Sequence, residues 1–256
     1  MNYHTKSTIH LADIVFPRNI NHHETLFGGA ALSYMDRVAF ICATRFGRRN
    51  FVTASCDNID FKKPAFKGNI VDFAATVIEV GRRSLKVEVV MQAEDILSGE
   101  RHICTRGIFN MVALKSQDQN EVPLCDLIMS EQSLEDQNAD VRMVELVFAD
   151  DTNHYGTLFG GNGLSMMAKA SFITATRNCR KILVLAAVER TDFSTPISEG
   201  EIVDLSAKVI SIGTSSIKVN VKMWGEGLLT GKRKLCADSD FIMVAVNKSG
   251  KATKVS

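Results

Sequence analysis

The sequence predicts an α+β fold: two copies of one domain, each a long central helix wrapped by an antiparallel sheet. Three observations carry this. A nine-residue run recurs at a fixed spacing. Each copy holds one long, largely apolar helical stretch. In each copy, strand-like runs of alternating polarity follow, separated by turn residues.

The repeat comes first. Asn21-His22-His23-Glu24-Thr25-Leu26-Phe27-Gly28-Gly29 returns as Asn153-His154-Tyr155-Gly156-Thr157-Leu158-Phe159-Gly160-Gly161, an offset of 132 residues. The same offset carries Ala43-Thr44-Arg45 onto Ala175-Thr176-Arg177, Asp60-Phe61 onto Asp192-Phe193, Cys104 onto Cys236 and Met111-Val112 onto Met243-Val244. No gap is needed from Asn21 to Leu114. The reading is a first domain over 8–115, a polar, acidic linker over 116–140 and a second domain over 141–248. Within the linker, Leu127-Ile128-Met129 is apolar enough to dock on a surface.

Each copy opens on a short apolar strand, Leu11 to Phe16 and Val144 to Phe148. A loop ending in Gly-Gly leads into a helix, Ala30 to Arg45 in the first copy. That stretch is apolar on nearly every side, as a helix buried all round is. Strands follow over Phe51–Asp57, Ile70–Val80, Leu85–Glu94 and Ile103–Leu114. Ser84 to Val89 and Ser216 to Val221 alternate as half-exposed antiparallel strands do. Gly81 and Gly213 stand where hairpin turns are expected. One helix cannot cover such a sheet and its edges. The two copies are therefore expected to pair as an intramolecular pseudo-dimer sharing one continuous sheet.

Composition excludes several classes. The chain has 256 residues, 45% hydrophobic and 23% charged, ordinary for a globular protein with a real core. Thirty Lys and Arg against 29 Asp and Glu leave a net charge of +1. A protein built on nucleic-acid phosphate contacts would be strongly basic. The polar start lacks a signal-peptide pattern. No run approaches the roughly 18 apolar residues of a membrane span. The six cysteines are scattered, with no CxxC pair and no clustered histidines. No metal and no membrane partner are expected, and the location expected is cytoplasmic, with reduced thiols.

The copies also differ, and each serves as a control on the other. Asp36 interrupts the apolar helix of the first copy; Ala168 takes its place in the second. The architecture thus does without a carboxylate there, which marks Asp36 as functional. In the loop the difference reverses. Gly156 faces Glu24, and a position needing positive φ suits Gly far better than Glu. One composite site would join Asp36 to Asn153, Gly156 and Gly160. The other, with Asn21, Glu24 and Ala168, would lack its acid. A helix start behind Gly-Gly offers free backbone N–H groups to a developing oxyanion. Asn153 can orient water or a carbonyl, and Asp36 can serve as general base. Together they suit hydrolysis of an activated acyl compound. His22 and His154 read as loop residues, and Ser33 and Ser165 have no evident base.

The pattern Asn-x5-Phe-Gly-Gly-x6-Asp, from Asn21 to Asp36, resembles the acyl-CoA thioesterases of the hotdog fold. So does Val188-Glu189-Arg190-Thr191-Asp192-Phe193-x2-Pro196-x3-Gly200. The tandem arrangement resembles cytosolic long-chain acyl-CoA hydrolases with two hotdog domains in one chain. The resemblance implies sites between paired domains, one of the two degraded. It also implies that the Gly160 N–H binds the thioester oxygen. An acyl-CoA substrate is implied, with no separate cofactor, as is a homo-trimer of double hotdogs. Coenzyme A phosphates need cations; Arg82, Arg83 and Ser84 at a hairpin, Lys62 and Lys63 before Pro64, and Arg190 are the candidates. Tyr34, Phe40, Met166 and Met167 are expected to bear on acyl-chain length. Two other readings use the same fold: a dehydratase or hydratase, and a non-catalytic acyl-CoA binder.

Overall fold

The computed structural model describes residues 8–57, 59–114, 122–126 and 138–255. The apolar run at Leu127-Ile128-Met129 lies outside them. The described residues fall into two compact units. The first lies within Met1–Glu94, Arg101–Leu134 and Leu228–Gly231, the second within Asp95–Glu100, Glu135–Gly227 and Lys232–Ser256.

The first unit runs β1 (Ile9–Ile14), α1 (Gly28–Gly47), β2 (Phe51–Asp57), β3 (Ile70–Val80), β4 (Ser84–Glu94) and β5 (Arg101–Ala113). The second runs β6 (Val141–Leu146), α2 (Gly160–Cys179), β7 (Leu183–Val188), β8 (Ile202–Ile212), β9 (Ser216–Glu226) and β10 (Arg233–Ala245). The strands form two five-stranded antiparallel sheets, ordered β1-β3-β4-β5-β2 and β6-β8-β9-β10-β7. Within its own unit, each sheet ends on β2 or β7. The opening strands start and end earlier than their apolar runs suggest, and Phe16 and Phe148 instead open short 3-10 turns.

Each sheet wraps its helix. Met35, Val38, Ala39 and Ile41 of α1 are fully buried with Phe73, Val87, Met91 and Met111 of the sheet. Met167, Ala170 and Ile173 of α2 do the same beside Phe241, Val219 and Met223. Neither helix is buried all round. Leu32 and Ser33 are exposed on α1, as is Ser165 on α2, so an apolar residue such as Leu32 occupies a solvent-facing position. Both helices end on a left-handed arginine, Arg48 and Arg180, whose N–H bonds back to Thr44 and Thr176.

Bulges repeat with the fold. Register shifts at Cys104 and at Cys236, and the carbonyls there accept from Lys62 N (2.8 Å) and Ser194 N (2.9 Å). That pins the loop before Pro64 and Pro196 to the sheet. Symmetry extends past the recognisable repeat. Leu124 N bonds Arg82 O and Val255 N bonds Thr214 O, both at 3.0 Å, and both side chains are buried. Part of the stretch read as linker is thus packed onto the first unit. Among the described residues no helix is long and apolar enough to cross a membrane.

Candidate active site

Asp36 sits two turns into α1. It is half-buried rather than enclosed, so the desolvation expected for a core carboxylate is only partial. Thr53 of β2 donates its hydroxyl to Asp36 Oδ1 at 2.6 Å. Sequence reasoning missed this residue. A β-bulge falls beside it, between Thr53 and Ser55, and the matching bulge of β7 skips Ala186. Bulges re-aim side chains at edges and near sites. The signal was available: position 185, the repeat partner of Thr53, is Leu. The acid and its hydroxyl partner are replaced together in the second copy.

The two asparagine loops are built alike. Asn21 Oδ1 accepts from His23 N (2.8 Å), Thr25 N (3.3 Å) and Thr25 Oγ1 (3.2 Å). Asn153 Oδ1 accepts from Tyr155 N (2.9 Å), Thr157 N (3.3 Å) and Thr157 Oγ1 (3.2 Å). In each, the carbonyl oxygen is committed to holding the turn. The Nδ2 group is left as the asparagine's donor toward a ligand. Glu24 N and Gly156 N close the turns on Asn21 O and Asn153 O at 3.1 and 2.9 Å. The first loop is therefore as well formed as the second, against expectation. Glu24 achieves this at φ +58°, beside φ +70° for Gly156. Left-handed backbone costs a non-glycine residue about 1–2 kcal/mol. The His22 and His154 side chains are exposed and lie against His23 and Tyr155 with the rings tilted.

The loops deliver the chain to the helix starts. Ala31 N reaches Phe27 O at 3.1 Å, and Asn162 N and Gly163 N reach Phe159 O at 2.9 and 3.1 Å. The N–H groups of Gly28 and Gly160 precede the first helical bond and have no side-chain cap. A Cβ at either glycine would lie 3.8–3.9 Å from Phe61 or Phe193. The repeated phenylalanine thus roofs each helix start. Along one helix, Gly28 and Asp36 are eight residues apart, about 12 Å at 1.5 Å per residue. The acid cannot reach the donors of its own helix start.

A cavity of about 320 Å³ opens in the first unit, lined by Asn21, Gly28, Phe61, Lys62, Lys63 and Met91 among others. Tyr34, Phe40, Met166 and Met167 are not on its wall. Tyr34 instead donates to Asp13 Oδ2 at 2.8 Å. The basic candidates do not gather in one place. Lys62 and Lys63 flank this cavity, whereas Arg82, Arg83 and Ser84 lie at the other end of β4. Seven residues of strand separate Ser84 from Met91, about 24 Å. Arg83 donates to Ala113 O at 2.7 Å. Arg190 is exposed and paired with Asp192 at 3.0 Å, so its charge is already matched. Burial pushes the Cys42 thiol up to about 12 and the Cys104 thiol up to about 11, which keeps both protonated and unreactive near neutrality. Among the described residues no group of His, Cys, Asp and Glu is placed to hold a metal ion.

This geometry defines a duplicated α+β domain carrying an acid on one helix and uncapped backbone N–H groups at two helix starts. The chain belongs to the thioesterase superfamily, whose pattern matches it twice, over residues 23–100 and 155–232. It is similar to the crystal structure of an acyl-CoA hydrolase from Agrobacterium tumefaciens, with 49% identity and a TM-score of 0.86 over 97% of this chain and 98% of that one. An acyl-CoA thioester hydrolase of Bacillus subtilis is 41% identical over 109 residues, 43% of this chain and 63% of that protein. Mouse acyl-coenzyme A thioesterase 11 is 24% identical over 86% of this chain and 44% of its own length. The chain thus spans less than two thirds of either curated relative.

Proposed function

We propose that this chain hydrolyses fatty acyl-CoA to free fatty acid and coenzyme A, with Asp36 as general base. One observation carries the reading. Asp36 and its partner Thr53 are both lost at the matching positions, Ala168 and Leu185, while the asparagine loop and the uncapped helix start are kept in both halves. Selective loss of the acid pair in an intact scaffold is the pattern of one working site and one degenerate site.

In this reading Asp36 acts with Asn153 and Gly160, since its own helix start is out of reach. Thr53 holds Oδ1, leaving Oδ2 to take a proton from water. Asn153 Nδ2 orients that water or the thioester. The oxygen attacks the thioester carbon, and the Gly160 N–H receives the oxyanion. Collapse breaks the C–S bond; the thiolate leaves and is protonated, giving acid and thiol. Gly156 keeps the Asn153 loop unstrained. Of the cations considered for phosphate, Arg82 and Arg83 remain, since Lys62 and Lys63 line the first-unit cavity beside Asn21 and Gly28 and Arg190 is paired with Asp192. The substrate supplies coenzyme A, so no separate cofactor enters. The assembly is a homo-trimer of double hotdogs.

The test is thiol release from a chain-length panel of acyl-CoAs. Wild type should turn over part of the panel, Asp36→Ala should fall by about 10²–10⁴-fold, and Ala168→Asp should change little. Full activity in Asp36→Ala would sink the mechanism. Binding of acyl-CoA without turnover would favour a non-catalytic binder, and turnover of an enoyl- or hydroxyacyl-thioester a hydratase or dehydratase.

A further inference from the structure

The cavity in the first unit lies on the side of the repeat read as degenerate, yet it is not a remnant. The polar residues on its wall are Asn21, Thr25, Lys62, Lys63 and Cys104. Asn21 spends its Oδ1 on its own loop, which leaves Nδ2 as its donor. Gly28 brings a helix-start N–H. Lys62 and Lys63 line it, and neither has a carboxylate partner among the described residues. The matching residues of the second copy are Ser194 and Thr195, so this pair of cations belongs to the first half alone. The rest of the wall is apolar, with Phe61 and Met91 among it. No aspartate or glutamate stands on it. A pocket of donors and apolar surface with no base suits an anionic head on an apolar tail, and it has nothing with which to activate water.

We infer that this cavity binds a free fatty carboxylate, holding the head between Lys62, Lys63 and the Gly28 N–H and the tail against Phe61 and Met91, without chemistry. The inference rests on the proposed thioesterase activity only in taking the ligand's class from the reaction's product. It gives the chain a product-binding site separate from Asp36. A thioester carbonyl is uncharged and needs no paired ammonium groups beside it; a carboxylate does.

The experiment is calorimetric titration of the full chain with decanoate below its micellar concentration, and separately with coenzyme A. Wild type should bind decanoate saturably, one per chain. The double variant Lys62→Ser, Lys63→Thr, which installs the second copy's own residues at an exposed loop, should weaken decanoate by about tenfold or more. Lys251→Ser with Lys254→Ser, which removes the same charge elsewhere, should leave decanoate unaffected. Equal decanoate affinity in wild type and Lys62→Ser, Lys63→Thr overturns the site. So does a double variant that weakens coenzyme A alone, since the lysines then serve phosphates. Absence of thiol release from every acyl-CoA would overturn the proposed activity while leaving this titration standing.

Discussion

At the scale of the residue, the hydroxyl of Thr53 is the detail with the sharpest consequence. It donates to a carboxylate at 2.6 Å, and hydrogen bonds to charged groups contribute about 1.5–3 kcal/mol. Thr53→Val keeps the shape and removes the donor. Its kcat for thiol release should fall roughly ten- to hundredfold with KM little changed. An unchanged kcat would remove Thr53 from the mechanism. Glu24 and Gly156 make a second paired case. Both occupy the left-handed region in turns closed by the same bonds, and a Cβ at Gly156 would meet nothing within 4 Å. The difference is therefore one of backbone alone. Gly156→Glu should cost about 1 kcal/mol, and Glu24→Gly should be neutral or stabilising by up to ~1 kcal/mol, part of the relief being offset by the entropy of an unfolded glycine. Denaturant midpoints read both. A Gly156→Glu midpoint equal to wild type would refute the strain argument.

At the scale of the element, the strand limits of β2 and β3 follow directly from their sequence, and the helices differ from the expected span by two residues at each end of α1. Period-two alternation and Gly punctuation are local signals, and they survive in these elements. Thr53 was not legible in that way. Alternation places it on a face but cannot say that a bulge turns it toward a carboxylate seventeen residues earlier. Only comparison with Leu185 hints at it. Likewise the sequence names the basic residues as separate candidates but gives no distance between them; the length of β4 sets the Arg82 turn apart from the Lys62 loop. The stretch around Leu124 was read as linker because it is polar on average. Its short 3-10 turn, Leu124–Asp126, is instead fixed by a single buried leucine. Leu124→Ala should therefore cost about 2–5 kcal/mol and speed amide exchange at the β3–β4 turn. A loss below 1 kcal/mol would mean that the segment is held elsewhere.

At the scale of the whole molecule, each sheet ends on an edge strand whose residues are mostly exposed. On β7 these include Val184, Leu185 and Val188. Apolar edges invite pairing, and a stable protein covers them. The proposed trimer should appear in light scattering at three times the 28.2 kDa chain mass, about 85 kDa. A monomer at micromolar concentration would refute it. Of the features above, the buried anchors Leu124 and Val255 reach furthest. Each closes the same hairpin turn in its own half, so each half carries its own stopper within its own stretch of chain. In engineering terms, a cut between Asp126 and Val141 would leave each polypeptide its own hairpin stopper, Leu124 or Val255, while Leu228–Gly231 of the first unit and Asp95–Glu100 of the second would have to come from the other polypeptide.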